Sequence, residues 1–260
     1  MNSTKSKTNP KAKTNYILGI MLVLLIVISV VLAVCLKPSN ARKPIIFNTS
    51  AKYVEGIDVS SHNGEIDWKE VSENTDFAII RAGYRGYGTD SVLTQDKNFD
   101  ENIKNALKHK IPVGVYFYTQ AVTVEEAKEE ANFVLNIIKG HNIELPVFID
   151  YEFASDANGD STGRLYGANL TKEQATEVVN AFCTEIQKAG YHAGVYSSSN
   201  VFNFHLNSED FVENAFVWVA DYNKTVKFTG SYDVWQYSKS GSCPGVNSKY
   251  CDVNRWYVNN

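Results

Sequence analysis

Residues 147–153 read VFIDYEF. A short apolar run follows Pro146 and ends in two carboxylates, Asp150 and Glu152. Its length and β-branched content fit a fully buried strand better than a helix. A lone buried charge is costly. The two acids therefore belong where a strand emerges from its sheet, and the rest of the chain shows what kind of sheet that is.

Similar runs recur on both sides. FAIIRAG (77–83), PVGVYFYT (112–119), LPVFIDYE (145–152), HAGVYSS (192–198), FVWVAD (216–221) and YDVWQYS (232–238) read as strands, and GIDVS (56–60) as another. Helical patterns lie between them. Thr123 with Glu126, and Thr171 with Gln174, have capping-box spacing. Ala127, Ala131, Val134 and Ile138 form one apolar stripe, Ala175, Val178, Phe182 and Ile186 a second, and Phe99, Ile103 and Leu107 a third. Gly190 stands at the end of the second.

Near-continuous apolar strands joined by helices predict an α/β fold with a parallel sheet covered on its faces. Closed, it is a (β/α) barrel; open, a doubly wound sheet. Both keep their chemistry at the carboxyl ends of the strands. Residues 55–260 are few for eight full units, so an irregular, TIM-like barrel is expected.

The single domain, 54–260, is preceded by three other segments. Residues 1–15 are a basic tail, expected to be cytoplasmic. Residues 16–36, YILGIMLVLLIVISVVLAVCL, carry no charge and are long enough for a transmembrane helix. Four lysines before it predict a single-pass anchor with the domain extracellular. A cleaved signal peptide, which would release the domain, and a lipoprotein signal are the competing readings. The apolar core is long for the first, and Val34 before Cys35 suits neither cleavage pattern. Residues 37–53 are polar and aperiodic, an extracellular linker.

Residues 1–37 hold five lysines and no acid, so the remainder carries 20 basic and 29 acidic side chains, a net charge of −9. That balance argues against nucleic acid as a partner. Cys243 and Cys251 flank a turn-rich loop, and an oxidising exterior predicts a disulfide between them.

Asp150 and Glu152 stand at i and i+2, which on a strand puts both on one face with Cα atoms about 6.5 Å apart. Two acids that close cannot both ionise freely, so one pKa rises. A protonated acid beside an ionised one is the division of labour of glycoside cleavage. D-x-E is also a common tripeptide, and a strand-end acid often caps a helix. Metal binding is the third option, but the sequence has no regular oxygen-ligand loop and its five histidines are scattered. No metal or cofactor is expected. Asp58, Asp221 and Asp252 end other strand-like segments, among Tyr84, Tyr116, Tyr118, Tyr151, Tyr196, Trp218, Trp235 and Tyr237. Rings beneath carboxylates suit a sugar, whose CH faces stack on them.

Eight segments in order carry a resemblance: GIDVSSHNGEIDW, FAIIRAGYRGYGTD, PVGVYFYT, PVFIDYE, AGVYSSS, VWVADY, YDVWQYS and CDVNRW. From Gly56 to Tyr257 the chain resembles the glycoside hydrolase family 25 lysozymes, the N-acetylmuramidases of bacteria, phages and some fungi. Residues 1–50 take no part in it. The resemblance implies an irregular (β/α) barrel and hydrolysis of the β-1,4 bond between N-acetylmuramic acid and N-acetylglucosamine. It implies peptidoglycan glycan strands as the partner. It assigns the acidic cleft to Asp58, Asp150, Glu152 and Asp252, with Glu152 as general acid and Asp150 assisting the 2-acetamido group. Tyr84, Tyr118, Tyr196, Trp218, Asp221 and Gln236 are the expected sugar-binding set.

Two other readings compete. A glycan-binding protein on an inactive hydrolase scaffold would be expected to lack one of the four acids, and all four are present. A hydrolase of chitin-like polymers shares the acetamido chemistry and differs only by family resemblance. The loop 154–170 reads as a solvated turn beside the cleft.

Overall fold

The computed structural model describes Met21, Ile45, residues 47–88 and residues 91–258. The chain divides into two compact units, 1–41 and 42–260. Of the first, only Met21 is described, and it is helical. The expected membrane-spanning stretch 16–36 otherwise lies outside the described residues. Among the described residues no helix is long and apolar enough to cross a membrane.

The second unit runs β1 (Tyr53–Val59), α1 (Trp68–Ser72), β2 (Phe77–Arg85), β3 (Leu93–Gln95), α2 (Phe99–Lys108), β4 (Val113–Tyr118), α3 (Val124–Ile138) and β5 (Val147–Asp150). It continues through β6 (Ala154–Ser155), β7 (Ser161–Thr162), α4 (Gly163–Gly167), α5 (Lys172–Lys188), β8 (Ala193–Ser198), α6 (Ser199–His205), β9 (Phe216–Ala220), β10 (Val234–Gly241) and β11 (Cys251–Tyr257).

Eight strands close on themselves in the order β1-β2-β4-β5-β8-β9-β10-β11, with β3 added at one side. Neighbours from β1 to β10 are parallel. The last strand, β11, is antiparallel to both β10 and β1. The barrel is irregular for this reason, and because no helix separates β9, β10 and β11.

Every described strand expected from sequence is present, within a few residues. The antiparallel β11 and the short β3 were not among them. The run 145–152 is longer than β5, which ends at Asp150. Glu152 therefore lies past the strand end, and period-two alternation does not govern it.

Alternation elsewhere sorts the side chains into two layers. Outward residues such as Ile80, Val115, Ile149 and Val195 pack under the helices. Inward residues, among them Phe77, Ile79, Phe148, Phe216, Trp218 and Trp256, fill the barrel. The interior is crowded enough that glycine is required at some positions. A Cβ at Gly56 would enter the Phe77 ring, and one at Gly194 the Phe148 ring.

Phe47 and Ile45, in the stretch expected to be a free linker, pack against this interior cluster. The Phe47 ring lies 6.0 Å from Phe77 and 5.7 Å from Trp256 between centroids.

The helix signals hold in one case and in part in the other. Thr171 and Gln174 form a reciprocal capping box at α5. Gly190 follows that helix with φ +90°, the left-handed turn that favours glycine. At α3 the Thr123 hydroxyl accepts from the Glu126 N–H, but the Glu126 carboxylate does not return the bond. It accepts from the Val122 N–H and from Arg164 instead. Arg164 outcompetes the backbone because it offers two charge-assisted bonds.

The cysteine expectation is corrected. Cys243 and Cys251 are both free and buried, so no disulfide joins them. Each thiol faces a backbone carbonyl next to it in sequence, Pro244 for Cys243 and Asp252 for Cys251. Burial raises both thiol pKa values and keeps them unreactive.

Candidate active site

The four acids expected in the cleft meet at one mouth of the barrel. Asp58 and Asp150 come from the carboxyl ends of the parallel strands β1 and β5. Asp252 comes from the start of β11, which reaches the same mouth because that strand runs the other way. Asp58 and Asp252 are direct partners in the β1–β11 register. Glu152 follows β5 by two residues, and Asp150, Glu152 and Asp252 line a cavity of about 980 Å³.

Asp58 is buried, and its Oδ2 accepts from Gln236 Nε2 and Asn254 Nδ2, both at 2.8 Å. Burial, and then the charge of Asp252, push its pKa well up against those two bonds. Asp150 is buried as well, yet its Oδ1 has no hydrogen-bond partner. Burial raises its pKa strongly, with Glu152 and Asp58 adding to the effect and Arg81 opposing it. Burial is also the main cause for Glu152, pushed up to about 7 with Asp252 contributing, and for Asp252, pushed up to about 6. Lys239 opposes both of these last shifts.

The expected sugar-binding residues fall into two groups. Tyr84 and Tyr118 line the large cavity beside Asp150. Tyr196 lines a second cavity of about 500 Å³ that also includes Glu152. Glu152 thus stands where the two cavities meet.

Of the other three, Trp218 and Gln236 support the site from beneath, and Asp221 lines the smaller cavity. Trp218 is 1% exposed, and its indole N–H donates to Asn254 Oδ1 at 2.8 Å. It carries Tyr196 on its ring, with centroids 4.4 Å apart, and does not reach the cleft. Gln236 is buried between Asp58 and the hydroxyls of Tyr196 and Tyr222. The Asp221 carboxylate accepts from Ser199 Oγ, the Asn223 amides and the Lys227 N–H, so it folds the cavity wall. Burial raises its pKa, but these bonds outweigh it and hold the carboxyl low.

Several residues at the site were not singled out from sequence. Arg81 points from β2 into the cleft, pairs with Asp96 at 2.7 Å and donates to Ser61 Oγ at 3.1 Å. A lone charge inside the apolar run FAIIRAG was its signal. Asn254, two residues after Asp252, shared that strand's inward face. Tyr87 and Tyr250 are exposed rings at the large cavity, and Tyr222 and Lys239 wall the smaller one. Their loops carry no pattern that would mark them.

The loop 154–170 is a β6–β7 hairpin followed by α4. Asp156 Oδ1 accepts from the N–H groups of Asn158 and Asp160, so those residues form a turn, as expected. Arg164 holds α4 against α3 and against the Gln120 carbonyl. Gln120 in turn accepts from the Leu165 N–H and donates at 3.4 Å to the Glu152 carbonyl.

Among the described residues no three His, Cys, Asp or Glu side chains are grouped to hold a metal ion. The cluster is a set of protonatable acids walled by tyrosines, suited to proton transfer onto a bound polyhydroxylated ligand.

Comparison with known proteins agrees with this geometry. Residues 57–246 match the model of the glycosyl hydrolases family 25. The chain is 26% identical over 212 residues to Lysozyme M1 of Streptomyces globisporus, covering 78% of this chain and 66% of that protein. The modular autolysin LytC of Streptococcus pneumoniae, solved in complex with a synthetic peptidoglycan ligand, superposes with a TM-score of 0.67 at 28% identity. That match covers 79% of this chain and 47% of LytC. A family 25 glycosyl hydrolase from Bacillus anthracis shares the fold, with a TM-score of 0.63 at 24% identity, over 82% and 93% of the two chains. The chain therefore spans just under two thirds of the lysozyme and about half of the autolysin. On the family match and the barrel that carries it, the chain belongs to glycosyl hydrolase family 25.

Proposed function

We propose that the domain is a lysozyme, hydrolysing the β-1,4 bond between N-acetylmuramic acid and N-acetylglucosamine in peptidoglycan. The observation that supports it most is the pairing of Glu152, protonated up to about pH 7, with the buried Asp150, whose Oδ1 lacks a partner. An orphaned buried carboxylate oxygen costs stability unless a ligand fills it.

Glu152 gives its proton to the glycosidic oxygen as the bond from that oxygen to the anomeric carbon breaks. The 2-acetamido oxygen closes on the anomeric carbon from the other face, and the acetamido N–H donates to Asp150 Oδ1. That contact, and the positive charge forming on the ring, favour the ionised form of Asp150. Water then opens the cyclic intermediate. The Glu152 carboxylate takes the water's proton, leaving a new reducing end with retained configuration. Asp252, pushed up only to about 6, supplies negative charge across the cleft, and the buried Asp58 stands beside it. Tyr84, Tyr118 and Tyr196 offer rings to the sugars.

The uncharged stretch 16–36 behind four lysines supports a membrane anchor with the barrel on the wall side. The substrate reading is tested by digesting purified peptidoglycan, reducing the products with borohydride and identifying them by mass spectrometry. Muramitol ends are expected. Glucosaminitol ends would reassign the bond that is cut.

A further inference from the structure

Arg81, Lys97 and Lys249 line the larger cavity and Lys227 and Lys239 the smaller, and of these Arg81 and Lys239 act on the cleft acids. Arg81 is committed, since it pairs with Asp96 and donates to Ser61. Lys239 is not. It extends from the far end of β10 into the wall of the smaller cavity, beside Glu152 and Tyr196. Its ammonium stands 5.4 Å from the centre of the Tyr222 ring. Among the described residues it makes no ion pair. Tyr222 is itself fixed, because its hydroxyl donates to Gln236 at 2.8 Å and Gln236 donates on to Asp58. Lys239 is therefore a cation resting on a braced ring at the edge of an acidic site.

A neutral sugar offers such a cation hydroxyl and carbonyl oxygens but no charge to neutralise. The catalytic acids do not use it, since its charge lowers the Glu152 pKa and so works against a proton donor. An acidic domain, with a net charge of −9 outside residues 1–37, also repels an anionic polymer. A cation beside the scissile position offsets that repulsion where the polymer carries its charge.

We propose that Lys239 is a specificity residue that binds a carboxylate on the 3-O side arm of a muramoyl unit in the smaller cavity. The inference rests on the muramidase reading and deepens it. The carboxylate has two sources, the lactyl group itself on a stem-free glycan and the end of a stem peptide where one is attached. Both offer the same charge-assisted N–H···O bond.

The test is a binding measurement in the Glu152→Gln background, so that no ligand is consumed. Three glycans are compared by calorimetry: stem-free strands with the free lactyl carboxylate, the same strands with that carboxyl converted to the methylamide, and strands with intact stem peptides. With Lys239 present, the stem-free acid is expected to bind about tenfold tighter than its amide, less so at high salt. Lys239→Met should bring the two within twofold, and Lys239→Arg should restore most of the difference. If Lys239→Met weakens only the stem-bearing strands, the peptide carboxylate is the ligand. An acid-to-amide ratio that is unchanged by Lys239→Met, with no loss on stem-bearing strands, overturns the proposal. That result leaves the muramidase reading intact, because the latter fails separately if the wild-type domain releases no muramitol ends.

Discussion

Gln236 Nε2 donates to Asp58 Oδ2 at 2.8 Å, while its Oε1 accepts from Tyr196 and Tyr222 at 3.0 and 2.8 Å. One buried amide thus fixes an acid at the bottom of the cleft and two rings on its wall. Gln236→Leu removes all three bonds and leaves the Asp58 and Tyr196 oxygens short of partners. It should cost about 1–3 kcal/mol of stability per orphaned group and lower turnover at least tenfold. A thermal melt beside a lysis assay checks both effects.

Glu152 provides a test through pH. Its folded pKa, about 7, is above the ordinary carboxylate value of 4.5. Folded protein therefore holds a proton that the unfolded chain has lost, and stability falls as pH rises from about 4.5 to 7. Glu152→Gln cannot titrate. It should be inactive and more stable than wild type at pH 7 and above, with the gap closing below pH 4. Denaturant midpoints across that range give the comparison.

As the proposed general acid, Glu152 sets the alkaline limb of activity. Wild-type kcat/KM should fall above about pH 7 as Glu152 loses its proton. The acids are coupled, so the apparent values belong to the set. Lys239 opposes the Glu152 shift. Lys239→Met should therefore move the alkaline limb to higher pH.

Gln120 ties the cleft to the loop beside it. It meets the Glu152 carbonyl on one side and the Leu165 N–H on the other, and Arg164 closes the set. Gln120→Ala should lower kcat several-fold with little change in KM, since it moves the acid and not the sugar rings. Arg164→Ala should expose 154–162 to protease with a smaller loss of kcat.

Phe47 stacks near Phe77 and Trp256 at the end of the barrel opposite the acids. A domain beginning at residue 51 loses these half-buried contacts. It should be less stable than one beginning at 45 by about 1–2 kcal/mol, a few degrees in melting temperature. Equal melting points would make the docking incidental.

What the sequence showed follows from what repeats within it. Strand alternation and the helix stripes at Ala127–Ile138 and Ala175–Ile186 are local, so the barrel and its helices were legible. β11 was not, because CDVNRWY mixes inward polar residues, Asp252 and Asn254, with outward ones and has no apolar run. Asp150 and Glu152 are legible as a pair, yet only Asp150 lies on the strand, which ends there. Asp221 lines the smaller cavity, while Trp218 and Gln236 lie at the right mouth but one layer beneath it. Sequence marks an aromatic or a carboxylate and does not show which neighbour consumes it. The disulfide failed for the same reason, since spacing across SCPGVNSKYC does not reveal where each sulfur points.

The central claim is that Glu152 is the general acid, and an acid matters only when the leaving group is poor. The decisive measurement is turnover by wild type and Glu152→Gln on two substrates: glycan strands, and a muramoyl glycoside with a dinitrophenyl leaving group that departs unprotonated. The account predicts a loss of about 10²–10⁴-fold on glycan and dinitrophenol release near the wild-type rate in the first turnover of the aryl glycoside, with later turnovers slowed because Glu152 is also the base for water. Equal losses on both substrates, or none on glycan, would contradict it.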